Sequence, residues 1–215
     1  MPSNRPRVLI ADDHTLVADL CRKLLETEFE VVGIVNNGRA MVRAASQFKP
    51  DVIIVDIAMP ILNGLDASQQ VKEFLPAVKL VFLTMNCEID LAAEAFRRGA
   101  SGYLLKTCAA SEMVTAVREV LRGKSYMSQT LCKDDVNYLR RTATKLEDEE
   151  ERLTERQREV LQLLAEGKQM KEIGDILKMT TRTVAFHKYR MMGTLGARSN
   201  AELVRYAVRN HLVSA

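Results

Sequence analysis

Through the first 124 residues, short apolar runs alternate with stretches whose apolar positions recur every three or four residues. The runs are VLIA (8–11), VVGIV (31–35), VIIV (52–55), LVFL (80–83) and GYLL (102–105). They are short, bounded by polar residues and rich in β-branched or aromatic side chains, and so predict strands. Helical spacing occupies 15–28, 38–48, 64–74, 88–98 and 110–122. In the last of these Met113, Val114, Val117, Val120 and Leu121 share a face, and Gly123 follows as a stop. Strands that are apolar throughout and alternate with helices predict a parallel sheet covered on both faces, joined by right-handed crossovers. Five such units make a doubly wound α/β domain.

From residue 125 the alternation lapses. Residues 125–151 include Val136 and Leu139, compatible with a helix, and end in the acidic run 147–151, which reads as solvated linker. From 152 onward everything is helical. Thr154 with Gln157 forms a capping box ahead of Val160, Leu161 and Leu164, and Gly167 stops that helix. A second helix carries Ile173, Ile176 and Leu177. A third, after Thr180, places Val184, Met191 and Leu195 on one face. Ser199 with Glu202 caps a fourth, which holds Leu203, Val204, Ala207 and Val208. Gly174 falls where two helices approach closely and is a packing choice. The expected organisation is therefore residues 1–124, a linker at 125–151, and an all-α four-helix unit at 152–215. That last unit has a small core, which docking or dimerisation would support.

Composition is that of an ordinary globular chain, 47% hydrophobic and 27% charged. The N-terminal MPSNRPR is polar, and no apolar run approaches the roughly 18 residues needed to span a bilayer. Neither a secretory signal nor a membrane span is expected. Cys21, Cys87, Cys108 and Cys132 are scattered, without a CxxC or Cys/His cluster, which argues against a zinc site or disulfide framework and for a reduced, cytoplasmic protein. The net charge of +3 is unevenly spread. Residues 1–124 hold 15 basic and 15 acidic side chains, 125–151 hold 4 and 7, and 152–215 hold 12 and 6. A polyanionic partner is therefore sought in the last third.

In doubly wound sheets, ligands bind at the carboxyl ends of the strands, near the point where strand order reverses. Those ends read Asp12 and Asp13 after VLIA, Asp56 after VIIV, Thr84 after LVFL and Lys106 after GYLL. Three clustered carboxylates are unfavourable without a cation among them. Hard oxygen donors with no sulfur or imidazole nearby select Mg2+ or Mn2+ over zinc, and a magnesium ion so held completes its shell with water and phosphate oxygens. The rim thus suits a phosphoryl group, with Asp56 as the nucleophile that forms an acyl phosphate. Lys106 and the cation would neutralise the transferring oxygens, and Thr84 would donate a hydrogen bond to one of them.

ADDH (11–14), VDIAMPILNG (55–64), FLTMN (82–86) and GASGYLLKT (99–107) together resemble a response-regulator receiver domain, whose fold is flavodoxin-like. The resemblance implies Asp56 as phosphoacceptor. It implies Asp13, Asp56 and the Ala58 backbone carbonyl as metal ligands, with Asp12 acting mainly through bound water. It also implies Lys106 as phosphoryl partner, Thr84 as switch hydroxyl and Tyr103 as a reorienting aromatic. One departure is Thr107, where many receivers carry a proline in a cis bond. Phosphatases of the haloacid-dehalogenase type also place a nucleophilic aspartate after a strand, but they need a second acid two residues on, where this chain has Ala58.

In the last third, two short helices joined by a tight turn, the second with a polar, basic outer face, suggest helix-turn-helix DNA binding. Residues 153–207 resemble the LuxR/NarL-type output domain, and the whole chain a two-component response regulator of the NarL/FixJ type. Arg182, Ala185, Phe186, Tyr189 and Arg190 are expected to point outward for base contact. Thr154, Lys168, Lys171, Thr181, Thr183 and Arg198 are candidate phosphate anchors. His187 is expected to pack on the helix flank. Ala185, Lys188 and Gly193 depart from the family pattern. Lys188 falls in the inward stripe, so its stem must snorkel. The resemblance implies a sensor histidine kinase as phosphodonor, double-stranded promoter DNA as target and a homodimer as the active form. The alternative reading is a phosphorylation-independent interaction or dimerisation module with a divergent output domain.

Overall fold

The computed structural model describes residues 5–131 and 153–213. The acidic run 147–151, Cys132 and most of the expected linker lie outside the described residues. In the N-terminal unit, β1 (Arg7–Ala11), β2 (Glu30–Val35), β3 (Val52–Asp56), β4 (Lys79–Thr84), β5 (Gly102–Leu105) and β6 (Tyr126–Met127) form one parallel sheet in the order β2-β1-β3-β4-β5-β6. Helices α1 (Thr15–Leu25), α2 (Gly38–Phe48), α3 (Gly64–Phe74), α4 (Ile89–Arg97) and α5 (Ala109–Leu121) cover its faces. Strand order reverses between β1 and β3, so the crevice at their carboxyl ends is the expected ligand position.

Successive strand side chains serve opposite layers. Leu9, Ile53, Val55, Leu80 and Phe82 pack towards α2, α3 and α4, whereas Val8, Ile10, Val52, Ile54 and Val81 pack towards α1 and α5. This double burial is why the strands read as unbroken apolar runs. Each fully buried branched side chain contributes about 1.5–3 kcal/mol.

The sheet is one strand wider than the five expected. Gly102 and Tyr103 pair with Tyr126 and Met127, the Ser128 N–H donates to the Tyr103 carbonyl at 2.9 Å, and Leu131 is buried in the same core. The N-terminal unit's packing therefore runs past residue 124. The added strand covers the backbone groups that β5 would otherwise leave open at the sheet edge.

The C-terminal unit consists of α6 (Glu155–Ala165), α7 (Met170–Leu177), α8 (Thr181–Leu195) and α9 (Asn200–Arg209). Both expected caps mark helix starts, but only the first is a full capping box: Thr154 and Gln157 bond reciprocally, whereas Ser199 accepts from the Glu202 N–H while the Glu202 carboxylate takes the Arg198 N–H instead. Val160, Leu161, Ile173, Leu177, Val184, Met191, Leu203 and Ala207 form its core. Leu163, not Leu164, is the fully buried leucine at that point of α6. A Cβ on Gly174 would lie 2.6 Å from the Met179 carbonyl oxygen, so the small residue is required by close packing against the turn.

Candidate functional site

The β1 and β3 tips bring Asp12 and Asp56 together, both almost fully buried, with the more open Asp13 beside them. Local backbone groups hold the carboxylates: the His14 N–H donates to Asp12 Oδ1 at 2.8 Å and the Ala58 N–H to Asp56 Oδ1 at 3.3 Å. Lys106, at the end of β5, reaches across so that its Nζ lies 2.8 Å from Asp56 Oδ2 and 2.9 Å from Asp12 Oδ2. Burial alone would lower the Lys106 pKa, but Asp56 and Asp12 together push it above its ordinary value, so the ammonium is retained.

Three carboxylates against one ammonium leave two negative charges at the rim. One ligand atom each from Asp12, Asp13, His14 and Asp56 lie within 4.8 Å of one another. A mostly oxygen donor set with a charge deficit of two fits a hard divalent cation. Contrary to the expectation of no imidazole nearby, His14, which was not singled out from the sequence, has its Nδ1 2.9 Å from Asp13 Oδ1. Its place in ADDH, directly after the acidic pair, was the available signal.

Thr84 is buried at the β4 tip, in register with Leu105, the residue before Lys106. Its Oγ1 accepts from the Asn86 N–H at 3.1 Å. Tyr103 is fully buried and its hydroxyl donates to the Asn86 carbonyl at 3.1 Å, so both candidate switch residues grip one loop. Residues Lys106–Cys108 form a 3-10 turn, and the described peptide bonds at Thr107 and elsewhere are trans. Burial pushes the Cys21 thiol up to about 12, which makes it a poor nucleophile.

On α8, Arg182, Phe186, Tyr189 and Arg190 are exposed and Ala185 is half-buried, so the outward face is as expected. Phe186 is 58% and Tyr189 64% exposed in the whole chain, so the N-terminal unit does not mask this face. Arg190 stands 6.0 Å from the Phe186 ring centre, and His187 packs edge-on to Phe186. Lys188 is buried along its stem with Nζ 5.8 Å from the Tyr189 ring centre. Thr154, Lys168, Lys171, Thr181 and Arg198 are exposed, while Thr183 is half-buried with its hydroxyl against that of Thr180.

The sequence reading missed a polar interface between the two units. Glu155, Glu159 and Gln162 of α6 and Glu166, the residue that caps its C-terminus, lie at i, i+4, i+7 and i+11, and all four meet the N-terminal unit. Glu155 accepts from Gln70 at 2.6 Å, and Glu159 accepts from Arg39 at 2.9 Å. Gln162 Oε1 accepts from the Asn63 N–H at 2.8 Å, and Gln162 Nε2 donates to the Met59 carbonyl at 3.0 Å. Glu166 accepts from the Ile61 N–H at 2.8 Å. Beside this stripe, buried Asp66 is held by Arg98 at 2.7 Å and by Arg158 of α6. Burial would raise the Asp66 carboxyl, but Arg158, Arg98 and the Asn63 amide keep it below the usual carboxylate value.

Residues 8–118 match the response regulator receiver domain, and residues 151–207 match the luxR family of bacterial regulatory proteins. The transcriptional regulatory protein LiaR of Bacillus subtilis (strain 168) is 34% identical over 97% of this chain and 99% of its own length. The oxygen regulatory protein NreC of Staphylococcus carnosus (strain TM300) is 34% identical over 96% and 99%. The solved structure of RcsB from Salmonella enterica serovar Typhimurium, bound to promoter rprA with phosphomimetic BeF3-, is 26% identical with a TM-score of 0.60 over 94% of this chain and 98% of that one. The chain belongs to the NarL/FixJ family of response regulators, which join a receiver to a LuxR-type DNA-binding domain. Among the described residues no helix is long and apolar enough to cross a membrane.

Proposed function

We propose that Asp56 accepts a phosphoryl group from a sensor histidine kinase in the cytoplasm, and that the phosphorylated chain binds double-stranded promoter DNA as a dimer. The observation that carries this reading is Lys106 seated between Asp56 and Asp12 in a rim still short of two positive charges. Asp13, Asp56 and the Ala58 carbonyl would hold Mg2+ or Mn2+, with Asp12 acting through water. The bound cation supplies positive charge against the phosphoryl oxygens.

A carboxylate oxygen of Asp56 attacks phosphorus, the bond from phosphorus to the donor nitrogen breaks, and its electron pair stays on the departing imidazole. Lys106 keeps its proton and turns its ammonium to the new phosphoryl oxygens. Thr84 gives up the Asn86 N–H and donates its hydroxyl to the same group. The loop that Tyr103 also holds then shifts, and the receiver surface gripping α6 changes with it. The chain catalyses nothing beyond its own phosphorylation and dephosphorylation. Release frees the C-terminal unit, whose reading face is already open, to pair on half-sites, read by Arg182, Ala185, Phe186, Tyr189 and Arg190 and anchored by Thr154, Lys168, Lys171, Thr181, Thr183 and Arg198.

The test is promoter binding by the wild type and Asp56→Asn with and without a small phosphodonor and Mg2+. Tighter binding in the donor's presence is expected for the wild type alone. An equal response in the variant refutes the role of Asp56, and donor-independent binding in both favours the phosphorylation-independent interaction or dimerisation module.

A further inference from the structure

We infer that the DNA-binding unit tunes the phosphoacceptor: Gln162 of α6 and Glu166 at its C-cap are positioning residues that hold loop 57–63 in a form less receptive to cation and phosphoryl group. The inference rests on the function proposed above, because it takes the Ala58 carbonyl, in that loop, as part of the cation site.

The loop is pinned at both ends by its own chain, through the Ala58 N–H on Asp56 and the Gly64 N–H on the Ile57 carbonyl at 2.8 Å. Its middle is held partly by its own unit, where the Leu62 N–H donates to the Pro60 carbonyl at 2.8 Å and the Gly38 N–H to the Leu62 carbonyl at 3.1 Å, and partly from the other unit. Gln162 is almost fully buried, and its amide grips the Met59 carbonyl and the Asn63 N–H, while also donating to Glu166 at 2.8 Å. Glu166 in turn takes the Ile61 N–H. Ile61 has φ +70°, a left-handed conformation that a β-branched residue rarely adopts, and its side chain packs against the core of the C-terminal unit. A strained residue persists only where its surroundings over-determine it. Here part of those surroundings is α6, so the loop has a reason to move when α6 leaves.

Linkage supplies the sign. If phosphorylation releases α6, then docked α6 disfavours the phosphorylated receiver by the same factor, and because α6 holds the loop that carries the Ala58 carbonyl, the same clamp acts on the cation site. With α6 docked, Lys106 remains the counter-ion of Asp56 and Asp12. Cutting the clamp should therefore make the receiver more reactive, although neither residue touches the reacting atoms.

The experiment uses the full chain as wild type, Gln162→Ala, Glu166→Ala and Glu166→Gln, each checked for folding by circular dichroism. Mn2+ affinity is read by electron paramagnetic resonance of the free ion. Phosphorylation by phosphoramidate is followed by intact mass at limiting and saturating Mg2+. The two alanine variants are expected to bind Mn2+ about tenfold more tightly and to be phosphorylated faster, most visibly at limiting Mg2+. Glu166→Gln keeps an acceptor for the Ile61 N–H and should match the wild type. Should Gln162→Ala fail to fold, the Glu166 pair carries the test. Alanine variants indistinguishable from wild type, or weaker in Mn2+ binding, overturn the inference. A wild type that takes up neither Mn2+ nor phosphoryl overturns the parent reading, and the inference with it.

Discussion

Replacing Lys106 with methionine removes the one ammonium inside the acidic rim while keeping most of its stem. Its side chain is only 6% exposed and its Nζ lies within 2.9 Å of both Asp56 and Asp12, so water does not take over its work. Two opposite charges 4 Å apart attract by about 4 kcal/mol at an effective dielectric of 20, before desolvation is subtracted. Removing one partner of a buried pair costs about 3–5 kcal/mol. For a chain of this size the melting point should fall by roughly 6–20 °C in EDTA.

Mg2+ should then return much of the loss, since a cation at a hundredfold excess over its Kd stabilises by about 2.7 kcal/mol. In the wild type the incoming cation competes with Lys106 for Asp56 and Asp12, whereas in the variant it does not. Thermal unfolding by circular dichroism, with EDTA and with Mg2+, should therefore show a larger Mg2+ increment in Lys106→Met. Equal increments in the two proteins, or a variant as stable as the wild type in EDTA, would refute the electrostatic account of the rim.

Two further outcomes follow from residues away from that rim. Asp66→Asn leaves Arg98 and Arg158 without their shared carboxylate and should destabilise the chain by about 3–5 kcal/mol at neutral pH. Because the folded Asp66 pKa lies below its unfolded value, this contribution is present above the ordinary carboxylate range and lost as pH falls through the folded value. Urea midpoints of wild type and variant should accordingly converge in acid, and a gap that widens there would be inconsistent with the ion pair. Gly193 sits in the last turn of α8 with open space where a Cβ would go, so Gly193→Ala should stabilise the chain by up to about 1 kcal/mol, measured as a rise in melting temperature.

The sheet and the convergence of its strand tips were legible because burial on both faces leaves uninterrupted apolar runs, and the carboxyl-end rule then selects Asp12, Asp13, Asp56, Thr84 and Lys106 without any coordinates. The inward position of Lys188 was equally readable from the helical stripe it interrupts. β6 was not, since two residues cannot display an alternation. The α6 stripe was hidden for a different reason. Glu155, Glu159, Gln162 and Glu166 carry the spacing of one helix face, but patterning reads a polar face as solvated and says nothing about a polar partner. That partner is the loop after Asp56, and Ile61 there takes a conformation its side chain disfavours, so no local preference announces it. The charge count changes accordingly. Three of the six acidic residues in 152–215 face the receiver, which leaves the outer surface of the C-terminal unit more basic than its composition suggests.

The most direct measurement is the intact mass of the full chain after incubation with phosphoramidate and Mg2+, followed by peptide mapping. The account expects a single added phosphoryl group on Asp56, absent when Mg2+ is chelated and absent from Asp56→Asn. An unmodified wild type, or a phosphoryl group carried on another residue, would contradict it.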